Sequence, residues 1–271
     1  MKKILLLTDF SDNSLNAMNF GMELFKNQHC SFFILNVQKS SEYITKDILT
    51  SPANSSIYDG IAKEHKADLE ILQNRYKKKY KKQRFTFNSI LNFDSIQNAV
   101  NKNIDLHHID LIIMGTNGAN NVKEVLFGSN TLQIIRSISI PIMAIPKNVS
   151  FKSLKNVLFT AKYDTKLLNE EGANLLKYLL TIYQAKLIML GKDDKVLKDS
   201  LKVTFPVINY EYYHLDEEND LSTALSTTIK LKNIDILVMK YQNESFFSRL
   251  LNNSELEKIL YSTKVPLLIL H

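Results

Sequence analysis

Apolar runs of strand length alternate with segments of helical period along the whole chain. Lys3 to Thr8 reads as a strand. Ser11 caps a following helix that sets Leu15, Met18, Met22 and Phe25 on one face. Ser31 to Val37 is a second strand, Ser40 to Ser56 a polar loop, and Ile57 to Lys82 mostly helix. Phe85 to Leu91 is a third strand, after which Asp94 is placed to cap a helix. Ile109 to Met114, the short helix Ser129 to Ser137 and the strand Ile140 to Ile145 follow. Strands separated by helices predict βαβ units and a parallel sheet. The unbroken apolar run Leu111-Ile112-Ile113-Met114 suits a strand buried on both faces.

The same order then starts again. Asn156 to Thr160 repeats the first strand, and Asp164 is placed to cap a helix through Tyr178. Lys186 to Leu190, Val203 to Tyr212, Ile234 to Met239 and Pro266 to Leu270 complete a second set of strands. Ile109-Asp110-Leu111-Ile112-Ile113-Met114 aligns with Ile234-Asp235-Ile236-Leu237-Val238-Met239, 125 positions further on. The same offset carries Ser129 onto Ser254, Ile135 onto Leu260 and Pro141 onto Pro266 without a gap. Agreement in residue type across a whole strand–loop–helix–strand unit reads as duplication. The expected domains are residues 1–148 and 149–271, joined near Asn148 to Lys152. The copies differ in the link between their second and third strands, which is long in the first and about a dozen residues in the second.

Composition adds three constraints. The hydrophobic share of 45% in 271 residues supports one large core or two smaller ones. A single cysteine, Cys30, excludes an intrachain disulfide framework and fits a reducing compartment. The opening apolar run stops at Thr8-Asp9, too short for a signal peptide, and no stretch is long enough to span a membrane, so the expected location is the cytoplasm. The net charge of +6 comes from Arg75 to Arg84, which holds seven basic residues in ten. That run reads as the solvated end of a helix rather than a nucleic-acid surface, with Tyr76 and Tyr80 turned to the core.

The chemistry gathers after the fourth strand. Gly115-Thr116-Asn117-Gly118 is followed, after nine residues, by Gly128-Ser129-Asn130-Thr131. This segment leaves the carboxyl end of a strand and opens a helix, where open α/β sheets bind ligands. Gly115 permits a sharp turn; Gly118 and Gly128 let backbone N–H groups approach an anion. Ser129 and Thr131 add hydroxyls at the helix N-terminus, whose dipole favours a negative group by about 0.3–1 kcal/mol. Asp9, ending the neighbouring first strand, suits ribose hydroxyls or an adenine amine, and Val37 offers its backbone to a base. Turn glycines and helix caps alone would account for part of the same pattern.

The spacing G-x2-G-x9-G-[ST] after an apolar strand resembles that of the universal stress proteins. The resemblance extends to Ile4-Leu5-Leu6-Leu7-Thr8-Asp9-Phe10-Ser11, to Leu35-Asn36-Val37 and to Pro141-Ile142-Met143-Ala144-Ile145. The resemblance is to the tandem members, with two such domains in one chain. It implies an α/β fold, adenine-nucleotide alpha-hydrolase-like, with two five-stranded parallel sheets of order 3-2-1-4-5 and helices on both faces. It also implies ATP or ADP, with or without Mg2+, held by Thr8, Asp9, Val37, Met114, Gly115, Asn117, Gly118, Gly128, Ser129, Asn130 and Thr131. Two departures are the asparagine at 117, often histidine in the family, and Asn92-Phe93, where a glycine is common.

The second copy departs further. Lys240, Asn243 and Asn253 stand where Gly115, Gly118 and Gly128 do, and Lys162 replaces Asp9, so this half is not expected to hold ATP in the same way. His107-His108 lacks metal-ligand spacing, and His29-Cys30 lacks a base and orienter, so neither reads as a catalytic or metal site. Pro141 and Pro266 suit the starts of edge strands, which the resemblance implies pair with each other inside a tandem chain. A homodimer and an unidentified protein partner remain open.

The expected function is a stress-response regulator that binds nucleotide through its first half, with hydrolysis slow at most. The rivals are an interaction module without nucleotide and, ranked last, an adenylating enzyme. The last would need a glycine loop where Thr8-Asp9-Phe10-Ser11 stands.

Overall fold

A computed structural model describes residues 1–38, 56–116, 128–161, 168–191, 195–206, 208–215, 221–241 and 265–271. Five strands come from the first half: β1 (Lys2–Leu7), β2 (Cys30–Val37), β3 (Phe85–Asn92), β4 (Leu111–Gly115) and β5 (Ile142–Ile145). The helices between them are α1 (Asp12–Leu24), α2 (Ser56–Lys79), α3 (Ile96–His107) and α4 (Ser129–Ser137). The second half supplies β6 (Asn156–Ala161), α5 (Glu170–Tyr183), β7 (Lys186–Gly191), α6 (Lys195–Thr204) and β8 (Tyr210–His214). It ends with α7 (Leu221–Leu231), β9 (Ile236–Lys240) and β10 (Leu267–Leu270).

All ten strands form one sheet in the order β3-β2-β1-β4-β5-β10-β9-β6-β7-β8. Every neighbouring pair is parallel except β5 with β10, which run antiparallel with Met143 opposite Leu268. Each half therefore has the order 3-2-1-4-5, and the two last strands seal each other's edges. One face carries α1, α2 and α5 over a buried cluster that continues from Ile4 in β1 to Leu268 in β10. The other carries α3, α4 and α7 over a second cluster that includes Ile112, Ile134 and Leu225.

Residues 125 positions apart make equivalent contacts, Asp110 and Asp235 each with the first strand of its own half. The Asp110 carboxylate accepts from Lys3 N–H at 2.7 Å, and the Asp235 carboxylate accepts from Asn156 N–H at 2.9 Å. Pro141 and Pro266, each just ahead of its strand, accept at 3.0 Å from Ile112 and Leu237 N–H. His108 and Asn233 both take left-handed φ, 53° and 48°, as the chain leaves the preceding helix.

The two halves touch beyond the sheet. The Tyr178 hydroxyl donates to Gln28 Oε1 at 2.8 Å, and the Tyr183 hydroxyl to the Leu24 carbonyl at 2.5 Å. Phe151, in the connection between β5 and β6, packs edge-on against both Phe20 and Tyr183.

Tyr76 and Tyr80 are buried, Tyr76 stacked on Phe87 and Tyr80 tilted against Phe85, so α2 is anchored at its basic end. The cations of that end lie exposed, and Lys77, Lys78 and Lys79 complement the helix C-terminus. On the open edge of β3, Gln73 Nε2 donates to the Phe87 carbonyl at 2.6 Å, which blunts that edge.

Three local expectations differ. Ser95, not Asp94, is the N-cap of α3: its hydroxyl accepts from Asn98 N–H at 3.2 Å. Asp94 stands one residue earlier and accepts from Ser95 N–H and the Asn98 amide. The helix of the second half starts later than expected, with Asn169 as its cap through Gly172 N–H at 2.8 Å; Asp164 lies outside the described residues. Val203 belongs to helix α6 rather than to a strand. Pro206 cannot extend that helix or donate to a ladder, so the chain turns at Phe205 to Ile208 before β8 begins at Tyr210. The loop expected over Ser40 to Ser56 falls, up to residue 55, outside the described residues.

Candidate functional site

β1 has β2 on one side and β4 on the other, so the chain's connections diverge at the carboxyl ends of β1 and β4. Such a switch point leaves a crevice between the departing loops. The β1 end supplies Thr8 and Asp9, the β2 end Val37, and the β4 end Met114, Gly115 and Thr116. Helix α4 enters from the far side of the loop with Gly128 at its N-cap. Asn117 and Gly118 lie outside the described residues.

Asp9 is exposed at the tip of β1, and one oxygen of its carboxylate accepts from Ser11 N–H at 3.1 Å and from the Ser11 hydroxyl at 2.5 Å. The next residue, Phe10, has φ 61°, a left-handed value that costs a side-chain-bearing residue about 1–2 kcal/mol. Its N–H donates to the Thr8 hydroxyl oxygen at 3.0 Å, and Thr8 Oγ1 also meets Ser14 Oγ at 3.1 Å. Thr8 is thus buried inside the turn and builds it. The Thr8 carbonyl accepts from Asn36 Nδ2 at 2.8 Å, and Asn36 Oδ1 from Gln38 Nε2 at 2.8 Å.

Gly115 is the last residue of β4, paired with Ile145, and its role is not the sharp turn that the sequence suggested. No described glycine has positive φ. A Cβ at Gly115 would stand 2.7 Å from Asn13 Nδ2, so the missing side chain lets α1 pack against β4. Thr131 is buried as well, and its hydroxyl donates to the carbonyls of Thr116 at 3.0 Å and Gly115 at 3.2 Å. With Gly128 N–H donating to Thr116 O at 2.8 Å, these bonds close the base of the loop.

Helix α4 begins at Gly128, which takes extended φ −65° and ψ 160° and, being glycine, supplies no side-chain cap of its own. N–H groups of a first helical turn have no partner within the helix, so this end presents donors and the positive end of the dipole. Ser129 and Asn130 are exposed beside it, while Met114 is buried and Val37 half-buried in the apolar floor.

Sequence reasoning missed Asn13, Asn36, Gln38 and His65, which lies near Gln38. Asn36 had a signal: a polar amide near the end of the apolar run Phe32 to Val37 needs an internal partner. Cys30 is fully buried, and burial pushes its thiol up to about 12, in keeping with an inert thiol. His107 stacks on Phe33 with ring centroids 4.4 Å apart. In the second half Lys240 ends β9 where Gly115 ends β4; Lys162, Asn243 and Asn253 lie outside the described residues.

The sequence matches the family model of the universal stress proteins over residues 1–146. The chain belongs to the universal stress protein family. A comparison with curated proteins gives no match. Among solved structures, this universal stress protein is similar to one from Archaeoglobus fulgidus, with 15% identity, 99% of this chain and 95% of that one covered, and a TM-score of 0.71. A protein of unknown function from Pseudomonas aeruginosa PAO1 shares 10% identity over 100% of this chain and 92% of its own, at a TM-score of 0.59. A putative universal stress protein from P. aeruginosa UCBPP-PA14 shares 11% over 100% and 93%, at 0.56. At such identities the likeness is one of fold, and it runs through both halves.

Proposed function

We propose that this universal stress protein is a stress-response regulator that binds ATP or ADP in the crevice of its first half. The observation that carries the reading is the N-terminus of α4, begun by a glycine with no capping side chain of its own and flanked by exposed Ser129 and Asn130, at the same end of the sheet as the exposed Asp9 carboxylate. Amide donors and a positive dipole suit phosphates, and a carboxylate suits ribose or an adenine amine. Asp9, Val37 and Met114 then form the nucleoside side, and Gly128, Ser129 and Asn130 the phosphate side, with Asn117 and Gly118 in the loop between. Thr8, Gly115 and Thr131 support the site by shaping its backbone. Among the described residues, no group of three His, Cys, Asp or Glu side chains stands together to hold an ion, so Mg2+ would arrive with the phosphates. The protein acts by binding, with hydrolysis slow at most.

The division of labour follows the duplication. Residues 1–148 form the nucleotide domain, and residues 149–271 a structural or docking partner. The β5–β10 pairing and the Tyr178 and Tyr183 contacts support this pairing within one chain. The single buried cysteine supports a cytoplasmic location. Among the described residues no helix is long and apolar enough to cross a membrane.

Gly128→Asp tests the site with the fold preserved. Aspartate at this extended position caps α4 with its own carboxylate and repels phosphate. Titration with a fluorescent ATP analogue should show binding in the wild type and at least about tenfold weaker binding in the variant. Equal affinity would refute the assigned site. A second reading, an interaction module without nucleotide, is favoured by the internal bonds of Thr8 and Thr131 and by the packing role of Gly115. A thermal-shift titration separates the two, because a ligand of the native state raises Tm.

A further inference from the structure

Helix α2 meets the β1–α1 turn through His65. Its ring stacks on Phe10, with centroids 6.0 Å apart and planes 14° apart. Its Nδ1 lies 3.5 Å from Gln38 Nε2, the same amide that donates to Asn36 Oδ1. Asn36 is 1% exposed and holds the Thr8 carbonyl, and the Thr8 hydroxyl holds Phe10 N–H. Thr8, Asn36, Gln38, His65 and Phe10 therefore close a ring of contacts around the β1–α1 turn, drawn from three elements.

The turn needs such support. Phe10 is held at left-handed φ, a state that persists only where surrounding contacts over-determine it. Ser11, the residue after Phe10, donates its N–H and hydroxyl to the Asp9 carboxylate, so the φ of Phe10 places the donors that hold Asp9. His65 can act as a fixed brace because α2 is anchored further along by Leu69, Leu72 and Tyr76, all buried. We propose that His65 is a positioning residue: by stacking on Phe10 it holds the left-handed turn that presents Asp9 to the crevice. The effect on a ligand rests on the nucleotide reading above; the bracing of the turn does not.

The test uses the full chain with His65→Ala, which removes the ring, and His65→Phe, which restores a stacking face without the nitrogen. Amide hydrogen exchange is followed at Phe10 and Ser11, whose N–H groups bond within the turn, and at Ile112 and Ile113 in β4 as an internal reference. In His65→Ala the two turn amides should exchange about tenfold faster while the β4 amides keep their rates. His65→Phe should restore wild-type protection. Affinity for the fluorescent ATP analogue should fall about fivefold in His65→Ala and recover in His65→Phe. Unchanged exchange at Phe10 in His65→Ala would overturn the proposal. So would an equal rise in β4, which marks a general loss of stability, or a His65→Phe variant no better than His65→Ala. If the wild type binds no nucleotide, the functional reading falls, and the exchange rates alone still decide the role of His65.

Discussion

Gly115 and Asn13 share a space that holds only one side chain. The Cβ position of Gly115 lies 2.7 Å from Asn13 Nδ2 and 3.2 Å from the Asn13 carbonyl oxygen, which belongs to helix backbone and cannot move aside alone. The glycine that ends the fourth strand is therefore a requirement of helix–sheet packing. Gly115→Ala should destabilise the protein by about 1–3 kcal/mol through overpacking. Chemical denaturation checks this, and a loss of nucleotide binding in Gly115→Ala would not by itself locate the site, unlike Gly128→Asp.

The acid limb of stability should depend on Glu211. Hydrogen bonds from Lys186 at 2.7 Å and from the Tyr213 hydroxyl at 2.7 Å, joined by Lys232, hold its carboxyl down at about 2, against an ordinary 4.5. A lowered carboxyl stabilises the native state above its unfolded value and loses that contribution as pH falls through the folded one. Stability should therefore drop between about 4.5 and 2, and Glu211→Gln should flatten the drop in that window. The group is only half-buried, so the effect should shrink in high salt. Urea melts at pH 7, 4 and 2.5 measure it.

Cys30 should be silent in the native protein. It is fully buried, and burial pushes its thiol up to about 12, so almost no thiolate is present at pH 8. Ellman's reagent should give no reaction with folded protein at pH 8 and one thiol per chain in denaturant. Rapid reaction without denaturant would contradict the packing of β2.

The seam between the halves should be cooperative. The cluster on one face runs unbroken from β1 to β10, and the Tyr178 and Tyr183 hydroxyls cross from α5 to Gln28, ahead of β2, and to Leu24 at the end of α1. Tyr183→Phe should cost about 1 kcal/mol, the net worth of one such bond, and leave a single calorimetric transition. Truncation after residue 148 should expose the apolar β5 edge that β10 covers. Light scattering should then show dimers or larger species for the fragment, where the full chain shows fewer.

Much of the architecture was legible because its signals are local. Strand-length apolar runs, caps such as Ser11 and the repeat at 125 positions each need only near neighbours or a comparison of the chain with itself. The errors sit where local signals compete. Asp94 and Ser95 are both good caps, and a shift of one residue decides between them. Val203 and Phe205 alternate like a strand, yet the preceding helix claims Val203 and Pro206 forces a turn.

What the amino-acid order determined unaided is the succession of strands and helices, the doubling, and the glycine that opens α4, because these rest on periodicity and backbone freedom within a few residues. Tertiary structure alone decided that Gly115 makes room for Asn13, that Thr131 ties down the loop it was expected to line with a ligand-facing hydroxyl, and that His65 meets Phe10 across 55 positions of chain. Those relationships depend on distances between elements far apart in the chain, which are set only when the sheet has assembled and the helices have docked on it.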